Sequence, residues 1–387
     1  MKHKIIHRKK SSTIPRIAAL NCLLFFCVTI IHAQSTDEIA PYNADSHFSN
    51  LYKSATAKFH FSGQTKADYE KWQKNFLPAL RNALGLNVME KQLAGYKPKA
   101  ELKESIDKGT FTLQKWFFWT EPDVPLPVVV LVPKSVNGKL PLVLITHGHG
   151  RDSILYDGIY PRALSSVSEA AQAETLAMQA VNEGYIAIAP TIRAFGITRF
   201  EADKKEGNSF SCHTELMRDL LTGRTVIGER VWDVSEILDW AIQQLPVDTK
   251  KIAITGNSGG GTISLFAAAC DKRITVAVPS SYFCTFSGSI GSIAHCDCNY
   301  IPGIMELGEM ADIAGLIAPR PFRALHGIKD EIYPIAETRK AFVHLQTIYA
   351  AAGKSNEAEL YEGQGGHQYY KEGAWPFIKK QFDAAGK

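Results

Sequence analysis

The stretch Lys251–Gly261, reading Lys-Ile-Ala-Ile-Thr-Gly-Asn-Ser-Gly-Gly-Gly, constrains this chain more than any other. Ile252 to Ile254 is a short apolar run of the kind that forms a buried strand. It stops at Gly256-Asn257-Ser258-Gly259-Gly260, a G-x-S-x-G pattern, and a helix of small residues is predicted from Thr262 to Cys270. Strand, tight glycine turn and helix in that order are the setting of a nucleophile elbow, in which the serine takes a strained backbone conformation and its neighbours must lack clashing side chains. A glycine-rich strand–helix connection or a phosphate-binding turn uses the same residue types. The remainder of the chain has to decide between these readings.

Two further residues fall where an elbow serine needs them. A serine hydroxyl is a weak nucleophile until a base takes its proton, and the base needs a third group to orient it. Asp330 follows the apolar strand expected at Phe322–Leu325, in His326-Gly327-Ile328-Lys329-Asp330, and Glu331 is the adjacent alternative acid. His367 follows the next expected strand, Ala358–Tyr361, in Gly365-Gly366-His367. The order Ser258, Asp330, His367 separates this arrangement from the chymotrypsin and subtilisin orders. His147-Gly148-His149-Gly150, after the buried strand expected at Leu142–Ile145, supplies backbone donors for an oxyanion. We assign one to Gly259 N–H and the other to His149 N–H, with Gly148 as the fallback.

From Leu142 onward strands alternate with helices, which predicts a mostly parallel sheet covered by helices on both faces. Ligands in such sheets bind beyond the C-terminal strand ends, where His147 and Ser258 both fall. Upstream, Lys66–Leu84 has a helical period closed by Gly85, and strands follow between Ala100 and Lys134, with a turn at Val136-Asn137-Gly138-Lys139. Residues 34–65 read as an extended lead-in. The expected division is a signal peptide at 1–33, an N-terminal extension at 34–110 and a catalytic domain at 111–387.

Charge bears on partners. The first 33 residues carry six Lys/Arg and no acids, ahead of the apolar run Ile17–Ile31 and His32-Ala33-Gln34. That is the pattern of an export signal cleaved after Ala33, with no membrane span left in the mature protein. Of the 43 basic and 39 acidic residues, the chain beyond Ala33 keeps 37 basic against 39 acidic, so electrostatics give no case for nucleic-acid binding. Of seven cysteines, Cys212, Cys270, Cys284, Cys296 and Cys298 lie beyond the signal. In an oxidising compartment a loop-stapling disulfide among them is expected. His295-Cys296-Asp297-Cys298 with Cys284 suggests a metal, but no second C-x-x-C or H-x₃-H half accompanies it. No metal and no organic cofactor is expected.

These residues and their order resemble the α/β-hydrolase superfamily, nearest to its dienelactone-hydrolase and acetylxylan-esterase-like branch. The resemblance runs from Leu142 to His367, about three fifths of the chain. Gly223-Arg224-Thr225 through Arg230-Val231-Trp232-Asp233, and Phe283-Cys284 through Asn299-Tyr300, resemble a subgroup of exported bacterial proteins. The resemblance implies an exported serine esterase acting on acetyl or methyl esters of plant-type polysaccharides. Dienelactone hydrolases use cysteine as nucleophile, and Ser258 departs from that. Arg193, Arg224 and Arg230 are candidates for gripping a uronate carboxylate, against helix-surface ion pairing for the last two. Trp116, Trp119 and Trp232 could stack on sugars or belong to the core. Phe286–Met310 is long enough to form a pocket wall. A prolyl-oligopeptidase-like peptidase and a non-catalytic carbohydrate-binding homologue are the competing functions.

Overall fold

The structure is a computed structural model that describes residues 42–134, 138–149 and 175–386. The expected export signal, Gly150 and part of the Val136–Lys139 turn lie outside the described residues. Among the described residues nine strands form one sheet: β1 (Lys99–Asp107), β2 (Phe111–Glu121), β3 (Val124–Pro133), β4 (Leu140–Thr146), β5 (Ile186–Pro190), β6 (Val247–Asn257), β7 (Val276–Ser280), β8 (Phe322–Gly327) and β9 (Ala358–Gly363). Their order is β1-β2-β3-β5-β4-β6-β7-β8-β9. The first three pair antiparallel, β3 meets β5 antiparallel, and every pairing from β5 to β9 is parallel.

Burial on both faces explains the near-continuous apolar strands. Val128, Val130, Leu142 and Leu144 join one core with the helices α2 (Lys66–Ala83), α6 (Val226–Gln244), α7 (Gly259–Cys270) and α8 (Ile335–Ala351). Val129, Leu131, Val143 and Ile145 alternate with them and join the other core, with α4 (Leu176–Asn182) and α9 (Lys371–Ala385). The small-residue helix α7 is buried from Gly259 to Ala269, as expected of a helix apolar on all sides. Further helices include α1 (Ala44–Ser54), α3 (Leu86–Gln92) and α5 (Cys212–Thr222). Residues 46–387 form one compact unit, so α2 and β1 share a body with the hydrolase-like core. These N-terminal strands extend the sheet; none of the described residues builds a propeller blade.

One expectation shifts, and the closing helix carries an internal proline. The lead-in contains α1, which buries no residue and so leaves no apolar stripe to read. The closing helix starts at Lys371, ahead of Trp375-Pro376. Pro376 is tolerated inside it because Pro376 and Glu372 are both exposed, so water can satisfy the carbonyl that loses its N–H partner.

The topology places four loops at one end of the sheet. β5 and β6 flank β4 on opposite sides, making a switch point beside β4. Thr146 pairs with Gly256 in register, so the loops after β4 and β6 emerge together. Gly327 pairs with Gly363, which does the same for the loops after β8 and β9.

Candidate active site

Ser258 stands at the end of β6 with φ 57° and ψ −119°. A non-glycine residue held there stores strain on the order of 1–3 kcal/mol, sustained only when its surroundings enforce it. Here they do. Ser258 N–H donates to Ser280 O at 2.9 Å, and Thr262 N–H donates to Ser258 O at 2.9 Å. A Cβ on Gly256 or Gly260 would overlap the Thr146 carbonyl, and one on Gly261 the Ser280 carbonyl. The glycines are therefore dictated by how closely β4 and β7 press on the turn.

His367 Nδ1–H donates to Asp330 Oδ2 at 2.9 Å, which leaves Nε2 as the basic nitrogen. The other carboxylate oxygen, Oδ1, accepts the N–H groups of Ile332 (2.9 Å) and Tyr333 (3.1 Å). Burial alone would raise the Asp330 pKa; the His367 bond and these two amides outweigh it and hold the carboxyl below its usual 3.8. Glu331 is exposed, so the acid facing His367 is Asp330. The Asp330 side chain is fully buried while that of His367 is 23% exposed, a gradient that runs outward to solvent.

Backbone bonds fasten these loops to one another. Ile328 N–H donates to Gly363 O and Lys329 N–H to Gly365 O, both at 2.9 Å. A Cβ on Gly327 would overlap the Gly366 carbonyl. The hydroxyls of Ser280 and Ser281 donate to Gln368 O at 3.4 and 3.2 Å. Since Ser280 O also receives the Ser258 N–H, His367 and Ser258 hang from the same strand end.

The loop after β4 lies against the elbow. A Cβ on Gly148 would stand 2.6 Å from Asn257 O, and one on Gly259 would stand 3.3 Å from His149 Nδ1. The candidate donors Gly148, His149 and Gly259 are thus brought together. His147 braces this loop: its Nε2 accepts Ile192 N–H at 2.9 Å and its Nδ1–H donates to Gly148 O at 2.8 Å. Burial pushes its pKa down to about 3, so it stays neutral.

Sequence reasoning missed Tyr333, and it grouped His295 with the cysteines, whereas the structure sets His295 beside Tyr333 and outside the cysteine cluster. Tyr333, buried, stacks on His367 with ring centroids 5.9 Å apart, and the His295 ring packs against Tyr333 at 5.1 Å. Burial, then the nearby His367, lowers the His295 pKa. The only available signal for Tyr333 was its spacing of three from Asp330.

The arginines differ from the uronate expectation. Arg193 is buried; Nε and Nη2 grip Asp233 at 2.7 Å each, Nη2 also reaches Thr120, and Nη1 lies 2.6 Å from Glu121 and 3.0 Å from Glu229. That occupies the whole fork. Arg224 binds Glu121, Glu229 and Gln92, and buried Arg230 donates to Arg193 O and approaches Glu215 at 3.4 Å. Ion pairing within the protein is what these residues do. Two of the tryptophans pack against the core, Trp116 on Trp240 at 4.8 Å and Trp232 with its N–H donated to Thr120 O, while Lys99 covers the ring of Trp119. Phe286–Met310 supplies much of the wall of a cavity of about 380 Å³, with Phe286, Ile290, Tyr300 and Ile304 facing Leu51 and Tyr52.

The expected disulfide is not formed. Cys212, Cys270, Cys284, Cys296 and Cys298 are all free thiols. Cys296 and Cys298 Sγ are 3.3 Å apart, well beyond the S–S bond of about 2.05 Å. Cys284 sits elsewhere, against Pro334 O. In place of Cys284, the partners of the C-x-C pair are Cys212 and His149, and the four ligand atoms lie within 4.8 Å of one another.

A parallel sheet with a strained serine beyond β6, and a His–Asp pair beyond β9 and β8, defines an α/β-hydrolase fold. The Abhydrolase family model matches residues 47–373, and the chain belongs to that family. It is 27% identical over 248 residues to the "Putative hydrolase YtaP" of Bacillus subtilis (strain 168), covering 62% of this chain and 77% of the relative. Among solved structures, a "putative acetyl xylan esterase" from Bacteroides fragilis aligns with TM-score 0.68 at 18% identity, over 88% of this chain and 86% of that one. A methylesterase aligns with TM-score 0.62 at 18% identity over 89% and 70%. A glucuronoyl esterase from Solibacter usitatus aligns with TM-score 0.61 at 15% identity over 85% and 97%. At these identities the structures share the fold.

Proposed function

We propose that this protein is a serine esterase that removes ester substituents, acetyl or methyl, from polysaccharides or oligosaccharides. The observation that carries the reading is the His367–Asp330 bond at 2.9 Å on loops tied to the strand that anchors strained Ser258. Ser258 Oγ attacks the ester carbonyl carbon as His367 Nε2 takes its proton, while Asp330 holds the ring with Nδ1–H inward. The carbonyl oxygen gains the negative charge and is met by the N–H groups of Gly259 and His149, with Gly148 the alternative to His149; one such donor is worth roughly 3 kcal/mol in the barrier. Collapse breaks the bond to the alcohol oxygen, which leaves with the proton from His367 Nε2. Water, deprotonated by the same nitrogen, then attacks the acyl-enzyme; the acid departs and Ser258 regains its proton.

The carbohydrate part of the proposal leans on the fold shared with an acetyl xylan esterase, a methylesterase and a glucuronoyl esterase. Residues 1–33 are proposed to direct export, which N-terminal sequencing of secreted protein beginning at Gln34 would support. No helix among the described residues is long and apolar enough to cross a membrane. Ser258→Ala should abolish hydrolysis of 4-nitrophenyl acetate and labelling by a fluorophosphonate with the fold intact; unchanged turnover overturns the mechanism. Acetate release from acetylated xylan, set beside methanol release from methyl-esterified pectin, divides the two substrate classes.

A further inference from the structure

The cluster of His149, Cys212, Cys296 and Cys298 takes no part in the proposed ester chemistry, yet its geometry is specific. Its members come from three separate parts of the chain: the loop after β4, the first residue of α5, and the insertion after β7. Cys212 Sγ and Cys298 Sγ lie 3.5 and 3.8 Å from His149 Nε2, and Cys296 Sγ lies 3.3 Å from Cys298 Sγ. Around a tetrahedral zinc ion, with bonds of about 2.3 Å to sulfur and about 2.0 Å to nitrogen, ligand edges come to about 3.8 Å for S···S and about 3.6 Å for S···N. The two S···N separations lie either side of their edge, and the Cys296–Cys298 separation lies inside its own.

We propose that these four side chains form a structural Cys₃His zinc site that pins the His147–His149 loop beside Ser258. Three thiolates and an imidazole are the soft donor set that selects zinc over calcium or magnesium, and four protein ligands close the coordination sphere. The surroundings match a metal–thiolate shell. Buried Arg230 Nη2 lies 3.5 Å from Cys212 Sγ, as an outer donor to a ligating sulfur would. His213 Nδ1 and Asp297 Oδ1 are 2.9 Å apart and clip α5 to the C-x-C turn. Phe195 and Phe210 pack edge-on against the His149 ring at 5.1 and 4.9 Å, keeping that side apolar. With Nε2 on the metal, Nδ1 keeps its hydrogen, and it is the Nδ1 edge that abuts Gly259. Metal binding therefore fixes both the place and the tautomer of the residue whose backbone N–H is the proposed oxyanion donor. The site does not depend on the esterase reading, because its ligands are independent of Ser258, Asp330 and His367.

The test uses the full chain purified with reductant and without chelator, then equilibrated with one equivalent of Zn²⁺ or Co²⁺ and desalted. The expected result is one metal per chain by mass spectrometry. Co²⁺ should give a thiolate-to-metal charge-transfer band and the intense visible bands of a tetrahedral site. Cys296→Ser, at the least buried of the three thiols, should shift the cobalt spectrum and weaken zinc retention at least tenfold in competition with a chelating dye. Cys270→Ser and Cys284→Ser should change neither. Failure of the reduced, folded protein to retain metal overturns the proposal. So does a disulfide among Cys212, Cys296 and Cys298 in freshly isolated protein, found by non-reducing peptide mapping. Retention unchanged in both Cys296→Ser and Cys212→Ser overturns it as well, and testing two ligands guards against one variant failing to fold.

Discussion

Asp330→Asn tests the proposed catalytic arrangement at its most constrained point. Asp330 Oδ1 receives two backbone N–H groups and Oδ2 receives His367 Nδ1–H. An asparagine here has one acceptor oxygen, and the two amides of Ile332 and Tyr333 claim it. The side-chain NH₂ must then face His367 Nδ1, where two donors would clash. His367 escapes by moving its hydrogen to Nε2, so Nδ1 accepts from asparagine and the nitrogen facing the serine loses its basicity. The ring stays in place and the chemistry fails. Loss of the right tautomer in such a triad lowers kcat on the order of 10⁴-fold, about 5.5 kcal/mol in the barrier. The assay is 4-nitrophenyl acetate turnover near neutral pH, with the melting temperature measured alongside and Glu331→Gln as the control. Glu331 is exposed, so its variant should turn over as wild type does. A drop of less than tenfold in the folded Asp330→Asn protein, or an equal drop in Glu331→Gln, would refute the assignment.

Four other perturbations probe the framework. Gly260→Ala forces a Cβ into the Thr146 carbonyl, a backbone group that cannot swing aside, and should cost at least about 3 kcal/mol in urea unfolding. Gly207→Ala, whose Cβ would meet open space despite φ +79°, should cost only about 1–2 kcal/mol. Arg193→Met leaves Asp233, Glu121 and Glu229 with a missing cation and should destabilise by about 3–5 kcal/mol. A raised KM for a uronate ester at unchanged stability would instead return Arg193 to substrate binding. Burial pushes Glu215 up from 4.5 to about 7. The folded state therefore binds more protons than the unfolded state between those values, and stability contributed by this group is full below 4.5 and declines as pH rises towards 7. Glu215→Gln should flatten the fall in melting temperature across that window; an unchanged slope refutes the assignment.

How legible each feature is in the sequence depends on where its signal sits. Ser258, Asp330 and His367 are readable because each follows an apolar strand and lies in a glycine-marked turn, so local pattern also gives global position. Strand alternation predicts a parallel sheet for the same reason, since a strand buried on both faces is apolar at consecutive positions. Arg193 misleads because its meaning is set by Glu121 and Asp233, distant in sequence and brought close only by β2 and α6. Charge type alone does not reveal whether a guanidinium is already engaged.

The cysteine–histidine cluster shows the same limit and adds a consequence. Cys296 and Cys298 form half a ligand set, and nearness in sequence points to Cys284 for the rest. Folding instead supplies Cys212 and His149, and His149 is also a proposed oxyanion donor through its backbone. On the proposed reading one residue serves two arrangements through different atoms, its main-chain N–H as oxyanion donor and its ring Nε2 among the sulfurs. A loop that must hold an N–H to within a fraction of an ångström gains from an anchor on its own side chain. Gly148, which has none, depends on its contact with Asn257. Loss of the anchor should therefore lower kcat more than it raises KM, because a misplaced donor weakens the transition state before it weakens substrate binding.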